Sequence, residues 1–110
     1  MTSEFFVRDI LKGRAGKTLV VGFPNGGAAL CVGDQFVVRY EIPRTLEDVL
    51  NERPKAEPIN ACAVSLTVME IESMRALIQE LPTGVTGALV LSGDGIEHVS
   101  KSSYLRTSPL

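Results

Sequence analysis

The sequence contains no tryptophan and only one histidine, and its two cysteines lie far apart. A single histidine leaves little with which to build a zinc site or a catalytic triad. Cys31 and Cys62 form no C-x-x-C motif, so they indicate neither a zinc ribbon nor a thioredoxin-type redox pair. Each lies in an apolar stretch, and we expect buried free thiols, while the sequence leaves open whether the two pair across a sheet.

Long apolar runs and a strong excess of one charge are also missing. No stretch approaches the ~18 apolar residues of a transmembrane helix, and residues 1–10 lack the pattern of a signal peptide. We therefore expect a cytoplasmic protein without membrane contact. The net charge of −2 excludes a basic footprint for nucleic acid over the whole chain. Residues 1–40 nevertheless carry five basic and three acidic side chains, whereas residues 41–99 carry four basic and ten acidic ones.

What the sequence does contain is a series of short β-branched runs in a chain of 110 residues, long enough for one domain with a modest core. Glycine and proline punctuate these runs, which predicts short strands. The strands are expected at residues 4–10, 18–23, 28–32, 35–41, 61–71, 87–92 and 103–105. This pattern is typical of a β-barrel or a β-sandwich.

Two short helices and one tight loop are also predicted. Thr45-Leu46-Glu47-Asp48 has the form of a helix start, which indicates a helix over residues 45–52. Ser73 is a candidate cap for a second helix up to residue 81, because Met74, Leu77, Ile78 and Leu81 have the spacing of one buried helical face. Pro24-Asn25-Gly26-Gly27 predicts a tight loop.

The stretch Lys12 to Thr18, KGRAGKT, ends like a phosphate-binding loop. That motif needs a glycine five residues before Gly16, where this chain has Leu11, and a helix after Thr18, where it has a strand-like run. We therefore expect no ATP or GTP binding and interpret the stretch as a basic turn between two strands.

Three groups of motifs follow one another in a recognisable order. They are Phe6-Val7-Arg8-Asp9-Ile10 with Gly13-Arg14 and residues 18–22; Val32-Gly33-Asp34 with residues 35–38; and residues 68–72 with 80–93. Their order and spacing resemble the second domain of translational GTPases such as elongation factor Tu, over residues 5–105. This chain differs in the longer turn at Ala15-Gly16-Lys17 and in an insertion at residues 43–60.

The resemblance implies an all-β fold, a closed antiparallel six-stranded β-barrel with one or two short helices. Gly33 is consistent with it, because glycine allows the positive-φ turn that leads into a strand. We expect one barrel domain at residues 1–105, with the helix-containing insertion at 43–60 and a frayed tail at 106–110.

The same resemblance implies a docking module, since these second domains contact their GTPase domain, ribosomal RNA or the aminoacyl end of tRNA. The nucleotide site of the family lies in the GTPase domain, so GTP binding does not carry over. The candidate binding residues are the basic side chains around the first turn, Arg8, Lys12, Arg14 and Lys17, of which only Arg14 matches the family's basic turn. We expect them to bind RNA, a ribosomal surface or a partner protein, without a cofactor or metal.

Other chemistry has less support. Glu70 and Glu72 share one face of a regular strand and form a carboxylate pair, but a solvated strand end explains them better. The stretch Asp94 to His98 offers too few ligands for a metal. A small hydrolase or lyase with a site in the barrel mouth is the alternative function, and self-association through exposed strand edges is a further mode of binding.

Overall fold

The computed structural model describes residues 2–13, 17–42 and 58–110, and strands dominate them. Nine strands follow one another in the chain: β1 Ser3–Lys12, β2 Thr18–Gly27, β3 Leu30–Cys31, β4 Gln35–Glu41, β5 Ile59–Ser73, β6 Ala76–Ile78, β7 Glu80–Leu81, β8 Gly87–Asp94 and β9 Tyr104–Arg106. Within the described ranges, helix is limited to one 3-10 turn at Ile96–His98. The predicted helix at 45–52 lies outside the described residues, as does most of the predicted insertion.

Six of these strands close into an antiparallel barrel, as the sequence predicts. The hydrogen-bonded order is β4-β9-β1-β2-β8-β5, and pairing of β5 with β4 closes the ring. β6 extends the sheet beside β5, while β3 and β7 form a separate ribbon. Each of the six barrel strands has a neighbour on both sides, whereas β3, β7 and the three-residue β6 are the described strands with a partner on one side only.

The inward-facing side chains fill the interior of the barrel. Phe5 and Phe36 lie with ring centroids 6.2 Å apart, and both are fully buried. Aliphatic side chains of β1, β2, β5, β8 and β9 pack in the same cluster, among them Val7, Val20, Leu66, Val68, Ile71, Leu89 and Leu105. Each such burial stabilises the fold by roughly 1.5–3 kcal/mol, so the interior is a packed core.

A β-bulge in β5 sets which side chains face outward beside the core. The register of β5 against β8 shifts between Val68 and Glu70. Val68 and Ile71 both point into the core, while Met69, Glu70 and Glu72 are exposed. An extra residue in one strand re-aims the side chains that follow it, so the two glutamates share the outer face of the barrel.

The helix predicted over residues 73–81 is wrong, because this segment forms a hairpin with β5. Ser73 pairs with Ala76, and the two residues between them, Met74 and Arg75, have φ values of 52° and 65°. Positive φ at both central residues is the signature of the type I′ turn, whose twist matches that of paired strands.

The four apolar residues whose spacing predicted a helix lie in two different environments. Ile78 and Leu81 pack on the core, whereas Met74 is 91% and Leu77 68% exposed. An extended chain with a bend at Gln79 buries the last two positions as well as a helix would. The free edge of β5 satisfies backbone hydrogen bonds in this arrangement, which outweighs a weak helical pattern.

Replacing Met74-Arg75 with Asn-Gly is expected to stabilise the protein by about 1–2 kcal/mol, because most L-residues pay roughly that cost at positive φ. Urea denaturation at low protein concentration measures the change. The reverse substitution order, Gly-Asn, serves as a composition-matched control with a smaller gain. A loss of stability with Asn-Gly would contradict the hairpin and favour a helix, in whose interior glycine costs about 1 kcal/mol.

The loop predicted at residues 24–27 is wrong as well, since β2 continues to Gly27. The register of β1 against β2 shifts between Ser3 and Phe5, opposite this stretch. A strand accepts proline where its pairing is irregular. The carbonyl of Pro24 accepts a hydrogen bond of 2.9 Å from the N–H of Gly84, which ties this end of β2 to the turn before β8.

The tail that the sequence predicts to fray begins with Arg106, which ends β9. Beyond it, the N–H of Thr107 donates to the carbonyl of Ser3 at 3.1 Å. The hydroxyls of Ser108 and Thr2 lie 2.7 Å apart within hydrogen-bonding distance. The first part of the tail is therefore joined to the N-terminal strand.

Candidate binding groove

The predicted basic turn is a hairpin connection between β1 and β2. Lys12 lies opposite Thr18 in the antiparallel ladder, and the N–H of Gly13 donates to the carbonyl of Lys17 at 2.6 Å. The residues after Thr18 continue as strand β2. This geometry brings Lys12 and Lys17 together and provides no helix N-terminus after Thr18 for a phosphate-binding loop.

The other two predicted residues do not join this pair in the described structure. Arg8 is exposed at the bulge of β1, where the register shifts between Val7 and Asp9. It lies four residues from Lys12, a separation of about 13 Å along a strand. Arg14 lies outside the described residues.

An ion pair occupies the surface beside Arg8. Lys101 Nζ lies 3.3 Å from Asp9 Oδ1, and the N–H of Ile10 donates to the same carboxylate at 2.8 Å. The backbone hydrogen bond from Ile10 is the main cause that lowers the pKa of Asp9, and Lys101 adds to it. The carboxylate that follows Arg8 in the chain is thus already paired with Lys101.

Lys12 and Lys17 line a surface groove of about 700 Å³ together with two glutamates of β5. The groove runs across the outer faces of neighbouring strands, because Leu19 of β2 pairs with Val90 of β8 and Val90 with Glu70 of β5. We call it the lysine–glutamate groove and define it by Lys12, Lys17, Leu19, Glu70, Glu72 and Val90.

A second cavity of about 380 Å³ adjoins this groove and shares Lys17, Glu70 and Val90 with it. It adds Met69, the bulged residue of β5, whose side chain is 51% exposed. The apolar floor formed by Leu19 and Val90 is therefore extended along β5.

The four charged side chains of the groove are all exposed. In the part of the chain that the structure describes, no ion pair joins either lysine to either glutamate. The described lining of the groove therefore places two lysines and two glutamates, not paired with one another, around an apolar floor. Glu70 and Glu72 do share one face, as the sequence predicts, but the structure adds that this face also carries the lysines.

The stretch Asp94 to His98, in which the sequence offers too few ligands for a metal, is an exposed turn. Glu97 Oε1 and His98 Nε2 lie 3.6 Å apart, and both side chains are about half or more exposed. Residues 2–13, 17–42 and 58–110 contain no group of three or more histidine, cysteine or acidic side chains placed to hold a metal ion.

The two cysteines are free thiols in different strands, Cys31 in β3 and Cys62 in β5, and both are partly buried. Desolvation raises the pKa of Cys31, and the carboxylates of Asp34 and Glu80 raise it further. Asp34 is fixed by accepting the N–H of Cys31 at 2.8 Å. Cys31 therefore remains protonated at neutral pH, which is unfavourable for a nucleophile.

An aromatic row crosses the outer wall on the other side of β1. Tyr40 stacks on Tyr104 with ring centroids 5.6 Å apart, and Phe6 contacts Tyr104 in turn. The hydroxyl of Tyr40 donates to Glu4. Burial, followed by this hydrogen bond, raises the pKa of Tyr40 well above its usual range, and the row acts as packing that joins β4, β9 and β1.

Comparison of the chain with protein-family models and with curated proteins finds no match. Function is therefore inferred from the groove itself. The described residues include no helix with the length and apolar character needed to cross a membrane.

Proposed function

We propose that this chain is a non-catalytic docking module that binds a segment of a partner protein in the lysine–glutamate groove. The observation that supports this function is the presence of two lysines and two glutamates, unpaired with one another, around an apolar floor. A polypeptide with an apolar side chain between charges of both signs complements such a surface. Charge complementarity then sets its register, and apolar burial contributes affinity.

RNA is a poorer occupant for the same groove. A phosphate drawn to Lys12 or Lys17 also approaches Glu70 and Glu72, and like charges at short range oppose binding. Affinity for single-stranded RNA grows with the number of phosphates that cations neutralise. The described lining carries two positive and two negative side chains, so it offers little of this electrostatic gain.

The alternative hydrolase or lyase site in the barrel mouth has no observation in its favour. Buried side chains fill the interior of the barrel, among them Phe5, Phe36 and Leu66. Among the described residues, the lining of the lysine–glutamate groove contains no histidine, cysteine or serine, so it lacks the usual pairing of a nucleophile with a base.

We also propose that this barrel is related in architecture to the second domain of translational GTPases. Support comes from the closed six-stranded antiparallel ring and from the turn into β4, where Gly33 has a φ of 97°. Docking by the outer wall of such a barrel needs no nucleotide site of its own.

Neutralising the glutamates separates a protein partner from RNA. Glu70→Gln combined with Glu72→Gln should weaken binding of a polypeptide roughly fivefold, because it removes two exposed charge pairs that contribute about 0.5 kcal/mol each. The same change should strengthen any binding of RNA, because it removes the carboxylates that repel phosphate beside the lysines. Proteins captured from lysate by the wild type are identified, purified and titrated against both forms, in parallel with a single-stranded RNA oligonucleotide.

Lys12→Gln combined with Lys17→Gln should also weaken the protein complex. The control for the glutamate variant is Glu97→Gln, which neutralises an exposed glutamate outside the groove and should leave the affinity of the complex unchanged. If the wild type binds RNA, the lysine variant loses that binding, and no captured protein binds either variant more weakly than the wild type, then the occupant of the groove is RNA and not a protein. Equal binding of every ligand by all variants would remove the groove from the function.

A further inference from the structure

The tip of the β5–β6 hairpin exposes more apolar surface than its position requires. Met74 is 91% and Leu77 68% exposed. Met74 also occupies a positive-φ turn position at which asparagine or glycine is favoured. A bulky apolar side chain held there in an unfavourable conformation is typical of a residue that makes a contact outside its own fold.

The hairpin tip is continuous with the acidic side of the lysine–glutamate groove. Leu77 lies directly opposite Glu72 in the ladder of β5 and β6. Glu70 lies two residues further back on the outer face of β5. One stretch of surface thus runs from the apolar tip, along the glutamates, over Leu19 and Val90, to Lys12 and Lys17.

This stretch is complementary to itself in charge and in shape. Its acidic side carries a projecting apolar tip, and its basic side borders a groove with an apolar floor. In a two-fold symmetric interface, each half of one patch meets the other half of the same patch on the partner. Rotation by 180° therefore places acids against bases and the tip against the floor.

We propose that the partner is a second copy of this chain. The β5–β6 hairpin of each protomer enters the lysine–glutamate groove of the other, with Met74 on the apolar floor and the glutamates facing the lysines. This inference rests on the proposed docking function and names its occupant. The contact is made by side chains of the outer wall and the hairpin tip, and it does not require the open edge of β6 to add a strand.

Sedimentation equilibrium of the full chain tests the inference first. The wild type should form dimers, and Met74→Asp should weaken dimerisation at least tenfold, because truncation of a central apolar contact has effects of that size. Aspartate tolerates positive φ better than methionine, so the variant retains its fold. Leu110→Asp places the same charge on another exposed apolar residue and should dimerise as the wild type does.

A charge exchange tests the orientation. One variant carries Lys12→Glu with Lys17→Glu, and the other carries Glu70→Lys with Glu72→Lys. Each alone should be monomeric, because like charges face each other at both contacts. An equimolar mixture should form a heterodimer, since every contact then joins opposite charges again.

A wild type that remains monomeric at high concentration overturns the self-docking inference. A dimer that is unaffected by Met74→Asp, or a mixture without heterodimer, also overturns it. These outcomes are distinct from failure of the proposed docking function. If the wild type is a monomer but a different, purified partner protein binds the groove variants more weakly than the wild type, docking is supported and only self-docking is rejected.

Discussion

Replacement of Gly93 by alanine is expected to lower the free energy of unfolding by about 3 kcal/mol, the combined cost of a strained backbone and an overpacked contact. Gly93 lies near the end of β8 with a φ of 132°. A Cβ there would overlap the carbonyl oxygen of Ser65 and lie 3.0 Å from its carbonyl carbon. Both obstructing atoms belong to the backbone of β5, which cannot move without disturbing the ladder between β5 and β8.

Gly33→Ala is the matched control, because it adds the same methyl group at positive φ without a collision. Gly33 has a φ of 97°, and a Cβ there would meet nothing within 4 Å. The expected loss is about 1 kcal/mol, from backbone strain alone. Urea denaturation of both variants measures the difference. Equal losses would mean that β5 and β8 do not approach as closely as the structure shows.

Leu105→Ala is expected to cost about 2–5 kcal/mol, the usual range for leucine truncation in a core. Leu105 is fully buried and is the central residue of β9, which joins β1 to β4 in the closed ring. Leu105 is the buried residue of this three-residue strand and its contribution to the barrel core. Because 1 kcal/mol shifts the midpoint of a small domain by roughly 4–8 °C, thermal denaturation should show a fall of about 10 °C or more.

Leu110→Ala deletes the same atoms from a side chain that is 54% exposed and should change stability by about 0.5 kcal/mol or less. If Leu105→Ala were equally mild, β9 would not be required for barrel closure. Loss of the ladder can also be read directly, since amide hydrogens of β9 should exchange faster in the Leu105 variant than in the control.

The strands were the most predictable part of the fold because they depend on local alternation. The run from Gln35 to Glu41 alternates apolar and polar residues except at Val37, and β4 has these bounds. The segment from Met74 to Leu81 was not predictable in the same way. Its apolar spacing fits a buried helical face and a bent pair of strands alike, and only the neighbouring edge of β5 favours the strands.

The candidate site was predicted in part. The lysines around the first turn are near in sequence, so Lys12 and Lys17 could be placed together from the chain alone. Their assembly with Glu70 and Glu72 depends on the order β2-β8-β5 in the sheet. The alternation of side chains along a strand indicates that these two glutamates share one face, but it carries no information about which distant strand lies beside them.

The sequence by itself determined an all-β domain without a histidine- or cysteine-rich centre and with its basic turn at the first hairpin. These features follow from composition, from side chains that alternate with a period of two, and from turn residues, all of which act over a few positions. Tertiary structure alone decided that Arg8 stands apart from Lys12 and Lys17, that glutamates share the lysines' groove, and that Met74 projects into solvent. Those outcomes depend on bulges and on pairing between strands far apart in the chain, where a shift of one residue reverses the face on which every following side chain lies.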